Sequence, residues 1–414
     1  MELTYYDFAK AVLPDDRIKG VFEPREHLGL DRRQFREQVD QTLRNSHFVD
    51  RLVRHKRMLI LVDDITRETP VDEILPSVLG LADQAGIKKE DTRILVALGT
   101  HRPLSQAEKI RKFGLEVVNQ VDICSHDYKK DVVQLGRTSQ GTPIELNRLV
   151  TQYDFMMGIG LIVPHRVSGF SGGGKIVQPG ISGEITTGLT HWRSAEYEGQ
   201  DIMGKIANPV REEIDEVAHL AGLKYVYNVV VDKNKRPIRS FAGDFQTAYR
   251  EGAAFSCSIY GVKAQRSKIV ITDSHPADIE MWQASKGVYC GDLLLEAGGI
   301  LILVTPCYEG VGVEFGKQMV EFGYRGYAEV KELVASGRIQ NLILAAHLAH
   351  VGRVIKEKGQ GIIISPGMDD ETCRKLGFLP ASGLSAALEL ADSLVGKEDI
   401  TVARFGGELL PIID

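Results

Sequence analysis

Apolar runs of strand length recur along the chain, each followed by turn residues and then by a segment of helical period. "RMLILVDD" (57–64) precedes "VDEILPSVLGLADQAG", and "TRILVALGT" (92–100) precedes "LSQAEKIRKFG". Further along, "SKIVITDS" (267–274), "GGILILVTP" (298–306) and "QGIIISPG" (360–367) again alternate with helical patterns. Runs that are apolar on both faces belong to strands covered on both sides. Their alternation with helices predicts an α/β fold of largely parallel sheets flanked by helices. A chain of 414 residues exceeds what one core usually organises, so two such domains are expected. The polar stretch "YGVKAQRSK" (260–268) opens a fresh strand–helix series. It divides an N-terminal domain, 1–262, from a C-terminal one, 263–397. The tail, 398–414, reads as a last strand that returns to the first domain.

Charge and cysteine usage narrow the class. The formal net charge of −6, without a large Lys/Arg cluster, argues against nucleic acid or a membrane surface as partner. The longest apolar runs are too short to span a bilayer. The start "MELTYYDFAKAVLPDD" lacks the basic flank and apolar stretch of a signal peptide. Cys124, Cys257, Cys290, Cys307 and Cys373 are scattered and form no CxxC, as expected of reduced thiols in a cytoplasmic protein.

In open α/β sheets ligands bind beyond the carboxyl ends of strands, which leaves three strand ends to consider. In "LVDDITRETP", Asp64 and Arg67 stand three apart in a turn and can present a carboxylate and a guanidinium to one site. Arginine is the natural bidentate clamp for a substrate carboxylate, although the two could equally pair with each other. Thr69 is expected to cap the next helix and Pro70 to open it. In "ALGTHRPLSQAE", His101 follows a strand, and Ser105 with Glu108 makes a capping box for the helix beyond. In "ITDSHPADIEMWQASKGV", Gln283 and Lys286 share a helix face, an amide and an ammonium suited to a carboxylate. Asp273 and His275 lie at the same strand end without an assignable role.

In the stretch "GLIVPHRVSGFSGGGKIVQPG" (160–180), Lys175 stands among the five glycines that fall from Gly169 to Gly180, ten residues after His165. Its "GFSGGGK" matches the start of a phosphate-binding loop, yet the Ser or Thr that would hold magnesium is Ile176. A nucleotide- or phosphate-binding hydrolase using residues 169–175 is therefore the alternative reading, and Ile176 speaks against it. Gly172, Gly173 and Gly174 are expected to let a ligand approach the backbone closely. His191 follows Lys175 by sixteen residues, and with His165 the three suggest an assembled site.

Together "DDITR" (63–67), "GTHR" (99–102), "PHRVSGFSGGGK" (164–175), "TTGLTH" (186–191) and "WQASK" (282–286) resemble the lactate racemase family in order and spacing. The resemblance runs from about residue 60 to residue 290. It implies a racemase or epimerase of a 2-hydroxy acid, with the active site in the cleft between the domains. It further implies nickel held in a nickel-pincer nucleotide, a pyridinium-3-thioamide-5-thiocarboxylic acid mononucleotide built by separate maturation proteins. Lys175 would carry that cofactor covalently, with Gly172, Gly173 and Gly174 against it, so that the first domain binds the cofactor. His191 would be the protein ligand to nickel, for which an imidazole is a suitable donor. His101 and His165 would be the acid–base pair. Arg67, Gln283 and Lys286 would hold the substrate, beside Trp282, and Asp64 would orient Arg67 or His101. Where the family pattern has Tyr before the glutamine this chain has Trp282, and it lacks the family's tryptophan in the last third. The resemblance therefore implies lactate or a larger, polyhydroxylated 2-hydroxy acid.

Overall fold

The computed structural model describes residues 1–413. The chain forms two compact units. The first comprises residues 26–190 and 205–259; the second comprises 1–25, 191–204 and the chain from 260 onward.

The first unit is built on a 6-stranded sheet. Its strands lie in the order Pro237–Gly243, Leu223–Val231, Phe155–Leu161, Met58–Asp63, Thr92–Ala97, Asp122–Ser125. All pairs are parallel except that between Leu223–Val231 and Pro237–Gly243. Every residue of Met58–Asp63 and of Phe155–Leu161 is buried, as their unbroken apolar character requires. From Met58–Asp63 the chain builds outward to one side, then returns at Phe155–Leu161 on the other side. The carboxyl ends of those two neighbours thus form a topological switch point, where such sheets place their ligands.

The helices flank the sheet with identifiable starts. Arg32–Asn45 begins at Asp31, which forms a capping box with Gln34. Gln106–Phe113 begins at Ser105, whose hydroxyl accepts from the Glu108 amide while Glu108 reaches back, as the sequence pattern predicts. Val71–Gln84 departs from expectation: its N-cap is Pro70 and no side chain caps it. The Thr69 side chain turns instead to the sheet, where its hydroxyl donates to Asp63 Oδ2 at 2.5 Å.

The second unit holds a 6-stranded sheet in the order Leu379–Pro380, Gly359–Ile364, Leu295–Val304, Ser267–Asp273, Ile400–Ala403, Ile18–Phe22. All its pairs are parallel. Ile269, Ile271, Ile300, Ile302, Val304 and Ile362 pack beneath the helix Leu384–Val395 in one buried cluster. Each such side chain contributes about 1.5–3 kcal/mol when fully buried.

Both chain ends correct the expected boundaries. The tail does not return to the first unit: Ile400–Ala403 pairs with Ser267–Asp273. Ile18–Phe22 pairs on its other side, so residues 1–25 belong to the second unit as well. Sheet pairing decided this, since an apolar edge completes whichever sheet offers a matching ladder. Among the described residues, no helix is long and apolar enough to cross a membrane.

Candidate active site

At the end of Met58–Asp63 two aspartates have different partners. Asp64 is buried, and its Oδ2 lies 2.6 Å from His101 Nδ1. Its Oδ1 accepts from the Thr66 hydroxyl at 2.6 Å and from the Thr66 amide at 3.1 Å. Burial pushes the Asp64 carboxyl up. The charge and hydrogen bond of His101, the Thr66 hydroxyl and Lys112 outweigh it and hold the group well below the usual carboxylate range. An ionised Asp64 accepts the Nδ1 proton of His101, which leaves the imidazole lone pair on Nε2. In that neutral form Nε2 is the ring's acceptor.

Asp64 is therefore not the partner of Arg67. The Arg67 amide donates to Asp64 O at 3.3 Å, but among the described residues its half-buried guanidinium makes no hydrogen bond or ion pair. That charge remains available to an anion.

His165 stands in a short hairpin in which Pro164–His165 pairs with Gly169–Phe170. The Val167 amide donates to His165 Nδ1 at 3.2 Å, and the Ser168 oxygen lies 3.3 Å from the same atom. An Nδ1 that accepts from a backbone N–H carries no proton, so the neutral ring bears its hydrogen on Nε2. The neutral forms of the two rings thus carry their hydrogen on opposite nitrogens.

The glycine-rich loop is tied down by hydrogen bonds. Gly172, at φ 83°, leads into a single helical turn over Gly173–Ile176, with Gly173 and Gly174 buried. The Gly173 amide donates to Asn228 Oδ1 at 3.0 Å, and Arg211 Nη2 donates to Gly172 O at 2.8 Å. The Arg211 guanidinium lies 3.4 Å over the ring of Tyr249. A Cβ on Gly173 would stand 2.7 Å from both Arg211 Nη2 and Tyr249 Cβ; one on Gly174 would stand 2.6 Å from Asp215 Oδ1. On that side the glycines make room for the protein's own helices, not for a ligand, which revises the expected reason for three in a row. Ile176 packs into the space left by Gly158, whose added Cβ would meet it at 2.6 Å. A phosphate-binding loop needs a hydroxyl there and a long helix after it, and this loop has neither. The loop also meets the His101 segment, since the Gly99 amide donates to Gly180 O at 2.9 Å.

In the second unit the helix Met281–Leu294 begins at Glu280, whose carboxylate accepts from the Gln283 amide at 3.0 Å. Lys286 Nζ donates to Gln283 Oε1 at 2.6 Å, so the expected pair does share a face. Trp282 stacks on His347 at 4.0 Å and on Phe315 at 4.8 Å between ring centroids. His347 lies between the hydroxyls of Tyr289, 3.5 Å from Nδ1, and Tyr324, 3.3 Å from Nε2. Burial, then the charge of His191, depress the His347 ring to about 3, so it is neutral near pH 7. His191 lies in the last turn of the helix Glu184–Ser194, and its carbonyl accepts from the Ser194 hydroxyl at 2.6 Å. The Ser194 oxygen is also 3.1 Å from His350 Nε2.

Asn228, Arg211, Tyr249 and His347 carry no motif that would single them out. Each lies in an ordinary apolar or amphipathic segment far along the chain from the residues it touches. Among the described residues, no three His, Cys, Asp or Glu side chains cluster as a metal site.

Comparisons with known proteins give the family. Residues 6–202 match the lactate racemase N-terminal domain and residues 262–407 the lactate racemase C-terminal domain. The chain is 27% identical to the lactate racemase of Thermoanaerobacterium thermosaccharolyticum, covering 93% of this chain and 92% of that one. It is 31% identical to the lactate racemase of Lactiplantibacillus plantarum, over 67% of this chain and 68% of the relative. The lactate racemase apoprotein structure from T. thermosaccharolyticum superposes with a TM-score of 0.87 at 25% identity, covering 100% of this chain and 99% of that one. A Thermotoga maritima crystal structure shares the fold, with a TM-score of 0.75 at 22% identity over 94% of this chain and 100% of that one. These matches and the α/β architecture define an isomerase, specifically a racemase. The chain belongs to the lactate racemase family.

Proposed function

We propose that this protein inverts the C2 configuration of a 2-hydroxy acid, lactate or a larger polyhydroxylated one, in the cytoplasm. The observation that carries the reading is the 2.6 Å contact of Asp64 with His101, on a turn whose Arg67 guanidinium has no partner among the described residues. Arg67 takes the substrate carboxylate in a two-pronged grip. Gln283 and Lys286 add an amide and an ammonium, and Trp282 bounds the side-chain end.

A nickel-pincer nucleotide, delivered by maturation proteins, would be held by Lys175 through its amine and by His191 as the nickel ligand. Three observations support that fit. Lys175 sits half-buried on a hydrogen-bonded turn, His191 offers one imidazole, and no all-protein metal cluster competes for the ion among the described residues. When bound, such a group supplies an acceptor and donor of hydride, which avoids a carbanion at C2. The protein's own part is proton management. His101, with its lone pair on Nε2, removes the hydroxyl proton as C2 loses its hydrogen. The resulting 2-keto acid turns its carbonyl while Arg67 keeps the carboxylate. His165, in its protonated form, would return a proton to the oxygen when hydrogen comes back to the opposite face.

The test is intact-mass and nickel analysis of protein produced with the maturation proteins, alongside a chiral assay of 2-hydroxy acids. The expected result is added mass at Lys175, one nickel per chain and equilibration of both enantiomers. Active protein with residue 175 unmodified overturns the cofactor reading; modified protein that inverts no 2-hydroxy acid overturns the substrate reading.

A further inference from the structure

A lysine that no motif marks stands beneath the Asp64–His101 pair. Lys112 belongs to the helix Gln106–Phe113, and only 6% of its side chain is exposed. Its Nζ donates to Asp63 Oδ1 at 2.8 Å, to Asp64 O at 3.0 Å and to Arg67 O at 2.7 Å. An ammonium has three N–H donors, and here three acceptors meet them. Two of those acceptors are the carbonyls of Asp64 and Arg67, the residues that orient His101 and face the substrate carboxylate. The third is Asp63, whose Oδ2 accepts from Thr69 at 2.5 Å and from the Leu161 amide at 3.1 Å. That second oxygen ties the turn to Phe155–Leu161 across the switch point.

The helix carrying Lys112 is equally fixed at its start. Ser105 and Glu108 cap it, and Glu108 also pairs with Arg102, the residue after His101, at 2.8 Å. One end of the helix therefore grips the His101 segment and the other grips the Asp63–Arg67 turn. A lysine is almost never this buried unless paired, and a buried ammonium is costly to retain. A mere staple for the fold needs the carboxylate contact alone. Placing the two remaining donors on the carbonyls of Asp64 and Arg67 sets those two backbones relative to His101.

We propose that Lys112 is a positioning residue for the acid–base and carboxylate-binding groups of this unit, acting through the backbone of the 63–67 turn. This rests on the reading of His101 as a base and Arg67 as the carboxylate clamp. Lys112 touches neither substrate nor cofactor. Its loss leaves every reacting group in the chain and misplaces two of them.

The experiment uses Lys112→Met, which keeps an unbranched side chain one atom shorter and removes its donors, and Lys112→Arg, which keeps the charge with a different donor geometry. In cofactor-free protein, the proton between His101 Nδ1 and Asp64 Oδ2 should give a low-field proton resonance, identified by its absence in His101→Gln. The expected order of its intensity is wild type, then Lys112→Arg, then Lys112→Met, in proteins with matching circular dichroism. In cofactor-loaded enzyme, Lys112→Met should lose roughly 100-fold in kcat, the scale of a misplacement near 1 Å, and also raise KM. Lys112→Arg should fall between, and it carries the test should Lys112→Met fail to fold. A folded Lys112→Met with the wild-type resonance, kcat and KM overturns the proposal. If the resonance falls as expected while loaded wild type inverts no 2-hydroxy acid, the positioning role stands and the functional reading fails.

Discussion

Asp64 Oδ2 and His101 Nδ1 are 2.6 Å apart, and this contact sets the proton inventory of the imidazole. Asparagine at 64 keeps the shape and removes the charge, and it can present an N–H to Nδ1, which favours the wrong tautomer. Asp64→Asn should lower kcat by roughly 100- to 10,000-fold with little change in KM, read from racemisation progress curves. The pH signature has a definite sign. Because the folded pKa is depressed, the stability that Asp64 contributes is present above about pH 4 and is lost as pH falls through the depressed value. The stability gap between wild type and Asp64→Asn, from denaturant titrations, should be flat at neutral pH and close only in acid. A gap that persists unchanged at the acid limit contradicts the pairing.

Arg67 offers a planar fork without a partner among the described residues, whereas lysine offers a point charge. Arg67→Lys should weaken substrate binding by about 2 kcal/mol, roughly thirty-fold in KM, through one lost charge-assisted hydrogen bond. kcat should change much less. Steady-state kinetics decide this, and an unchanged KM removes Arg67 from the site.

Gly173 sits at φ 57° with Arg211 Nη2 and Tyr249 Cβ each 2.7 Å from where a Cβ would stand. Gly173→Ala should cost about 2–4 kcal/mol from crowding and backbone conformation together. It should also lower the yield of cofactor attachment at Lys175, two residues on. Thermal unfolding and intact mass measure the two effects separately. Wild-type stability in this variant would mean that the loop is looser than the contacts imply.

Asp273 lies at the switch point of the second sheet, between Ser267–Asp273 and Ile400–Ala403. It accepts the amides of Gly406 at 2.7 Å and Phe405 at 3.2 Å. Burial pushes its carboxyl up to about 7; those amides and His275 pull down, and Asp278 adds to the rise. With the folded pKa raised, its contribution to stability is complete below about pH 4 and disappears as pH rises through 7. Wild type should lose on the order of a few kcal/mol between pH 5 and pH 8.5 that Asp273→Asn does not lose. Parallel curves for the two proteins would show that this carboxyl does not titrate there.

The strand–helix alternation was legible because burial on both faces leaves unbroken apolar runs. Met58–Asp63, Thr92–Ala97 and Ser267–Asp273 lie within a few residues of where the pattern puts them. The Ser105–Glu108 capping box and the shared face of Gln283 and Lys286 were legible as well, being local spacings on one helix. Pairing between distant strands was not. Nothing in "ITVA" or "IKGVF" says that residues 400–403 and 18–22 are neighbours, since any apolar strand can complete any edge.

Sequence alone determined which reactive groups this protein owns and that they stand at strand ends or on a glycine-rich turn, because those are matters of local pattern. Only the tertiary structure decided that Asp64 serves His101 and not Arg67, and that Lys112 meets three acceptors beneath that turn. It also decided that the glycines yield to Arg211, Tyr249 and Asp215. Partnership between side chains depends on which residues packing brings within about 3 Å of each other. Such proximity is a property of the folded chain and not of any segment of it.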